Sequence, residues 1–372
     1  MGDEQKTILI CSNYAWTIYN FRMPLIRSLK KKGYVIYVLT QYDGYETYIE
    51  REVHQIKPLF ISRKGINPFL DLLTILDFIR YFKLLRPDIL LPFTIKPVIY
   101  GSIVARIFKV RSIAMITGLG TAFMADTWIM KVVKILYRFA LSSASTVFFQ
   151  NVDDKNLFVK NKLVSANVCR LSPGSGIDLN TFCYVDPPKK DNMVFLLVAR
   201  MLWDKGVEEF VKAARLTKLK YPQVDFQLLG PLGVENRTAI SDRQMDDWCK
   251  EGFIKYLGET DNVAKYMEKA CCIVLPSYRE GTSRVLLEGA AIGRPLIASD
   301  VPGCREVIEH GVTGFLCKPR DYLDLSEKFE QMISMSFQAR KIMGVSGHKK
   351  VTNEFAQNIV CNLYIDAIEL YK

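Results

Sequence analysis

Four side chains in the second half of the chain have types and spacings suited to holding a phosphorylated sugar. Arg200 and Lys205 stand in Arg200-Met-Leu-Trp-Asp-Lys205-Gly206, where an apolar strand pattern gives way to a helical one. Two fixed cations at the carboxyl end of a strand can hold a diphosphate leaving group without metal. The same two charges also suit a solvated loop. Glu280 and Glu288 bracket Glu280-Gly-Thr-Ser-Arg-Val-Leu-Leu-Glu288. Glu280, in a loop, can accept hydrogen bonds from sugar hydroxyls. Thr282 and Ser283 suit an N-cap, so the free amides of the first helical turn face an anion. Glu288, two turns on, can take a vicinal diol such as a ribose. Spacing alone does not single out this pair, because Glu251 and Glu259 show the same separation. The strand-loop-helix setting does.

Other chemistries find no residues. Gly118-Leu-Gly120 and Gly174-Ser-Gly176 begin like a dinucleotide fingerprint, but neither completes Gly-x-Gly-x-x-Gly and neither opens the first βα unit, which disfavours hydride transfer. There is no P-loop sequence and no Asp-x-Asp pair to clamp a diphosphate through a divalent ion. The 3 histidines, His54, His310 and His348, lie far apart, and the 9 cysteines form no Cys-x-x-Cys pair, which reads as buried thiols in a reducing compartment. Neither a metal nor a cofactor is expected.

The charge is lopsided. Residues 1–185 hold 24 Lys and Arg against 13 Asp and Glu, whereas residues 186–372 hold 26 of each. The whole excess of +11 therefore sits in the first half, which points to a polyanion there, either nucleic acid or an anionic lipid surface. The segment 127–141 places Lys131, Lys134 and Arg138 at helical spacing among Trp128, Tyr137, Phe139 and aliphatic neighbours. Such a helix suits a membrane interface, and equally a core helix with one solvated basic face. The N-terminus lacks the basic-then-apolar layout of a signal peptide, and no run of 18 apolar residues offers a transmembrane helix.

The elements that must position these residues alternate. Strands are expected at 7–13, 34–41, 88–93, 111–117 and 145–151, and helices at 20–32, 68–85, 97–108 and 127–141. Asn67-Pro68 gives the second helix an N-cap and a Pro at its first position. The polar run 186–192 is the linker candidate, after which the pattern restarts with strands at 193–200, 225–230, 254–258, 271–277 and 295–299 and helices at 206–220, 261–270 and 284–292. Repeated βα units argue for parallel sheets covered on both faces. The expected architecture is α/β, with two Rossmann-like domains, 1–185 and 186–372, facing each other across a cleft. A last helix at about 355–371 could lie on either domain. Ligands of such sheets bind at the carboxyl ends of strands.

Taken together, Arg200…Lys205-Gly206, Glu280-x7-Glu288, Gly293-Arg-Pro295 and Asp300-Val-Pro-Gly-Cys-Arg-Glu306 resemble the retaining family 4 glycosyltransferases, of fold type GT-B. The resemblance covers nearly the whole chain. Tyr19-Asn-Phe-Arg-Met-Pro24, Ile66-Asn-Pro-Phe69, Gly118-Leu-Gly120 and Leu202-Trp203 resemble one branch, which adds N-acetylgalactosamine to undecaprenyl-diphosphate-linked bacillosamine or builds O-antigen and capsule repeats.

The resemblance implies that Arg200 and Lys205 bind the donor diphosphate, Glu280 the donor hexose and Glu288 the ribose. The amides from Gly281 through Thr282, Ser283 and Arg284 to Val285 would help hold phosphate and sugar, and the first domain would bind the acceptor. It further implies a hexosyltransferase that uses a UDP-sugar, without metal, through front-face attack. The donor would be UDP-N-acetylgalactosamine, or a galactose, glucose or N-acetylglucosamine counterpart. The acceptor would be a lipid-diphosphate-linked saccharide, met at the cytoplasmic face of the inner membrane.

The chain departs from the family at two places. Ser12-Asn13-Tyr14 replaces a Gly-Gly turn, and Thr117-Gly118-Leu-Gly120 stands where a His is common. Asn13, Arg22, Thr117 and Gly118 are the remaining candidates for acceptor or phosphate contacts. Two other classes stay open. A UDP-sugar 2-epimerase shares the fold but leaves the basic first half unexplained. A nucleic-acid-binding protein explains that charge but leaves the four site residues, all in the neutral half, without a role.

Overall fold

The computed structural model describes residues 5–62, 67–119, 127–189 and 192–370. Ile66, Gly120 and two residues of the run 186–192 lie outside them. The chain forms two compact units, Met1–Gly176 with Gln357–Lys372, and Ile177–Ala356.

The first unit runs β1 (Thr7–Tyr14), α1 (Ala15–Lys31), β2 (Val35–Gln41), α2 (Glu46–Glu50), β3 (Gln55–Pro58), α3 (Pro68–Leu85), β4 (Ile89–Pro92), α4 (Ser102–Ile107), β5 (Arg111–Ile116), α5 (Trp128–Leu141), β6 (Thr146–Phe149), α6 (Val152–Lys160) and β7 (Cys169–Leu171). Its seven strands pair in parallel in the order β3-β2-β1-β4-β5-β6-β7. The central strands are buried on both faces, as the continuous apolar runs demand. One face packs on Phe78, Val98, Tyr137 and Phe158, and the other on Ile18, Ile26 and Tyr364.

The second unit runs β8 (Val194–Val198), α7 (Val207–Lys220), β9 (Asp225–Leu229), α8 (Asp242–Lys250), β10 (Lys255–Tyr256), α9 (Val263–Lys269), β11 (Cys272–Leu275), α10 (Arg284–Ala291), β12 (Leu296–Ser299), β13 (Gly314–Cys317), α11 (Tyr322–Ser334) and α12 (Phe337–Glu354). Its six parallel strands run β10-β9-β8-β11-β12-β13. The last helix, α13 (Gln357–Glu369), belongs to the first unit, where Arg111 donates to its carbonyls at Ala367 and Ile368.

Three sequence expectations need correction. The chain changes unit at Gly176, nine residues before the expected boundary. The polar run that marked that boundary is anchored in the second unit. Fully buried Arg294 donates to the carbonyls of Val185 at 2.8 Å and Asp186 at 3.5 Å, and Lys341 pairs with Asp186 at 2.8 Å. Second, α1 begins at Ala15, not at residue 20. Its N-terminus is capped from a distance, since the Trp16 N–H donates to the Asp43 carboxylate at 3.1–3.2 Å. Third, the expected helix 97–108 opens as a π-helical turn, Pro97–Gly101, before α4.

Candidate functional site

In the second unit the strand order reverses direction between β8 and β11, and there the loops after both strands meet. Such switch points are where open α/β sheets bind ligands. The loop after β8 ends in a turn, Trp203–Lys205, closed by Gly206 at φ 72°. A Cβ on Gly206 would stand 2.0 Å from the Pro276 carbonyl oxygen, so only glycine lets the two loops touch. The Tyr278 N–H donates to the Asp204 carbonyl at 3.0 Å and joins them. A third loop, after β12, joins in. Gly303 lies at φ 84°, where a Cβ would press on Gly281 and Glu280, and the Ser283 N–H donates to the Gly303 carbonyl at 2.9 Å.

This packing brings the expected residues into two ion pairs. Lys205 Nζ donates to Glu280 Oε1 at 2.5 Å, with side chains 22% and 14% exposed, so both are shielded yet reachable. Arg284 Nε donates to Glu288 Oε1 at 2.7 Å. Burial pushes the Glu288 carboxyl above its ordinary pKa, and Arg284 pulls it part of the way back. Ser283 caps α10 by accepting from the Leu286 N–H at 3.4 Å, which leaves the helix N-terminus at the same loop. Gly281, Thr282 and Val285 are half-buried around it, and Arg200 is exposed two residues past the end of β8. Gly289 lets α10 lie directly on β11, since a Cβ there would meet Ile273 at 2.8 Å.

Two further contacts brace the site and had no local sequence signal. The Tyr278 hydroxyl donates to Glu209 Oε1 at 2.8 Å, and burial with that bond lifts the phenol well above its ordinary pKa. The Arg320 guanidinium covers the Tyr278 ring at 4.3 Å.

The first unit has its own switch point, between β1 and β4. Here Asn13 N–H donates to Thr94 Oγ1 at 3.2 Å, and Asn13 Oδ1 is buried with no partner among the described residues. Thr94 sits at φ 69°, a left-handed conformation that costs a β-branched residue about 1–3 kcal/mol. Sequence reasoning proposed Asn13 and missed Thr94, because strain leaves no mark in a residue's type. Thr117 and Gly118, the latter at φ 104°, follow the neighbouring strand β5. Arg22 stands beside the residue that follows β4. It is 3% exposed and lies 4.0 Å over the Phe93 ring, within the core under α13.

Among the described residues no group of three His, Cys, Asp or Glu side chains could hold a metal ion. No described helix is long and apolar enough to cross a membrane.

Comparison with known proteins places this architecture. Residues 7–151 match the model of glycosyl transferase 4-like domains, and residues 192–335 that of glycosyl transferases group 1. The chain belongs to the family 4 glycosyltransferases of GT-B fold. It is 28% identical over 334 residues to the N,N'-diacetylbacillosaminyl-diphospho-undecaprenol alpha-1,3-N-acetylgalactosaminyltransferase of Campylobacter jejuni, covering 85% of this chain and 86% of that one. It is 25% identical to the capsular polysaccharide biosynthesis glycosyltransferase CapM of Staphylococcus aureus, covering 91% of each. Among solved structures, sucrose-phosphate synthase of Thermosynechococcus elongatus superposes with a TM-score of 0.80 at 18% identity, covering 99% of each chain. Anabaena HepE in complex with UDP and glucose superposes with a TM-score of 0.78 at 18% identity, covering 98% of this chain and 100% of that one.

Proposed function

We propose that this glycosyltransferase moves N-acetylgalactosamine from its UDP derivative to an undecaprenyl-diphosphate-linked amino sugar in the assembly of a bacterial surface glycan. The observation that carries the donor half is the Lys205–Glu280 pair at the β8/β11 switch point, beside the N-terminus of α10. A nucleotide diphosphate entering there meets Lys205, Arg200 and the α10 amides as counter-charge, which frees Glu280 to accept from hexose hydroxyls. Glu288 accepts from the ribose. The resemblance to the Campylobacter enzyme supports the choice of sugar and acceptor.

The reaction retains configuration and runs without metal. An acceptor hydroxyl attacks the anomeric carbon from the face the diphosphate is leaving. The bond from that carbon to phosphate oxygen breaks as the new glycosidic bond forms, and the departing phosphate takes the hydroxyl proton. The protein contributes position and fixed charge. Asn13, Thr94, Thr117 and Gly118 in the first unit are the acceptor side. A polyprenyl acceptor stays in the bilayer, so the enzyme comes to it as a peripheral protein, with Lys131, Lys134 and Arg138 of α5 facing the anionic surface.

Incubation with a panel of UDP-sugars and lipid-diphosphate saccharides tests this reading. Transfer of N-acetylgalactosamine with α-linkage is expected. Transfer only of another hexose overturns the donor assignment. Interconversion of the UDP-sugar without acceptor would make the protein a 2-epimerase.

A further inference from the structure

The first turns of helix α3 wear their polarity reversed. A helix facing water buries apolar side chains and exposes polar ones. In the first turns of α3 the inward positions include Asp71 and Thr74, both buried, with Asp71 accepting from Lys96 Nζ at 2.8 Å and Thr74 Oγ1 donating to the Leu70 carbonyl at 3.2 Å. The outward positions are Phe69, Leu72, Leu73 and Leu76, which are 82%, 52%, 48% and 51% exposed. Polar groups were placed in the core while four large apolar side chains were left outside, so water is not the medium this face meets.

The neighbouring helices extend that surface. In α5, Trp128, Val132, Ile135 and Phe139 recur at helical spacing along one exposed stripe. Helix α4 packs against both α3 and α5, and its Arg106 lies 4.7 Å over the Phe139 ring. All three helices cover the same side of the sheet.

Among the described residues, the exposed charges of the three helices have one sign. Arg80 and Lys83 of α3 are exposed, and α5 contributes Lys131, Lys134 and Arg138. The three helices contain only two acids. Asp71 is spent on Lys96, and Asp77 accepts from the Phe60 N–H at 3.0 Å. A second copy of the chain docked face to face would bring like charges together. An anionic bilayer meets both features, taking the leucines into its acyl boundary and the cations at its headgroups.

We infer that α3 is an insertion helix that, with α5, seats the first unit in the interfacial layer of an anionic membrane. This deepens the membrane reading above and rests on it. The two helices divide the work: α5 supplies a salt-sensitive attraction and α3 a salt-resistant one.

The test is co-sedimentation of the full chain with vesicles of phosphatidylglycerol and phosphatidylethanolamine, at low salt and at about 0.5 M salt, where screening acts within a few ångströms. The parent is expected to bind at both and less at high salt. Changing Leu72, Leu73 and Leu76 together to Gln should lower the partition coefficient at high salt by about tenfold or more, since three leucyl contacts with the acyl layer are lost. Lys131→Glu, Lys134→Glu and Arg138→Glu together should act mainly at low salt. Changing Leu219 and Leu323 to Gln, exposed leucines of the second unit, should change nothing.

Leu73→Gln alone, with a smaller loss in the same direction, serves if the triple variant fails to fold. Parental high-salt binding by the α3 variants overturns the inference. So does a parent that light scattering shows to be a dimer, broken by the α3 change while vesicle binding survives. No donor or acceptor is present in this assay, so a failure of sugar transfer faults the proposed reaction and leaves the vesicle result standing.

Discussion

At the switch point of the second unit, the side chains are charged and paired, Lys205 to Glu280 and Arg284 to Glu288. At the switch point of the first unit, Asn13 has a buried amide oxygen with no partner among the described residues, Thr94 has a left-handed backbone, and buried Arg22 lies over the ring of neighbouring Phe93. Both lie where the order of a parallel sheet reverses, so topology does not cause the difference. The chemistry expected of each does. A nucleotide diphosphate gains negative charge as it departs, and fixed cations stabilise that change far better inside a structured loop than in water. A hydroxyl nucleophile carries no charge to the site and needs to be positioned. Paired charge on one side and a hydroxyl held on a left-handed backbone on the other are two forms of preorganisation that transfer would require.

The comparison breaks first at Lys205. Lys205→Ala removes a counter-charge to the diphosphate and leaves Glu280 without its partner, so turnover should fall about 100-fold or more. Steady-state kinetics on protein with an unchanged circular dichroism spectrum decide this. Parental kinetics would mean that the diphosphate is held elsewhere, and the charged switch point would lose its purpose.

The two glutamates sharpen the donor side. Glu288→Gln should weaken UDP about tenfold, by calorimetry, whereas Glu280→Gln should spare UDP and damage transfer. The raised pKa of Glu288 adds a control. A raised acid means the folded protein keeps a proton that the unfolded chain has lost, so the group's contribution to stability is complete below the ordinary Glu range and is lost as pH rises through the raised value. At pH about 8, Glu288→Gln should therefore not lower Tm, even as UDP binding weakens. UDP affinity of the parent should fall more steeply than that of the variant as pH drops through that raised range, since the variant keeps only the titration of UDP's own terminal phosphate. Equal loss of UDP by both variants would remove the division of roles.

What could be read in advance follows the same divide. Most strands and helices around both sheets were legible because buried parallel strands are uninterrupted apolar runs, and Asn67-Pro68 marks the start of α3 at the residue observed. The loops that bring Lys205 to Glu280 could be picked out because charge is rare enough to stand out beside a strand end. The Tyr278–Glu209 bond and the Arg320 stacking were not, since each joins residues far apart in the chain. The burial of Arg22 was hidden for a related reason: an arginine's type announces charge, yet cannot say that its guanidinium lies over the Phe93 ring. Thr94 was invisible, because its strain is a property of the backbone and not of the letter.

Thr94 gives the acceptor side its own test. Thr94→Gly relaxes the left-handed backbone and removes the oxygen that accepts from the Asn13 N–H. KM for the acceptor should rise about tenfold, while UDP affinity stays parental and Tm changes by only a few degrees, because relief of strain and loss of one hydrogen bond offset each other. A change in UDP affinity instead would place Thr94 on the donor's path and blur the distinction between the two switch points.

The smallest effect belongs to metal removal. A glycosyltransferase that clamps its diphosphate through a divalent ion loses activity with a chelator and regains it with manganese or magnesium. In this chain Lys205 already stands at the donor loop, shielded and 2.5 Å from Glu280, with the α10 N-terminus beside it and Arg200 at the strand end. On the proposed reading those groups carry the counter-charge that an ion would otherwise supply, and they are covalently fixed, so no concentration of chelator dilutes them. Initial rates with and without EDTA should agree within about twofold. A collapse of rate with EDTA, restored by added metal, would show that the cations of the second unit are insufficient for the leaving group, and the charged side of the comparison would have to be rebuilt around an ion.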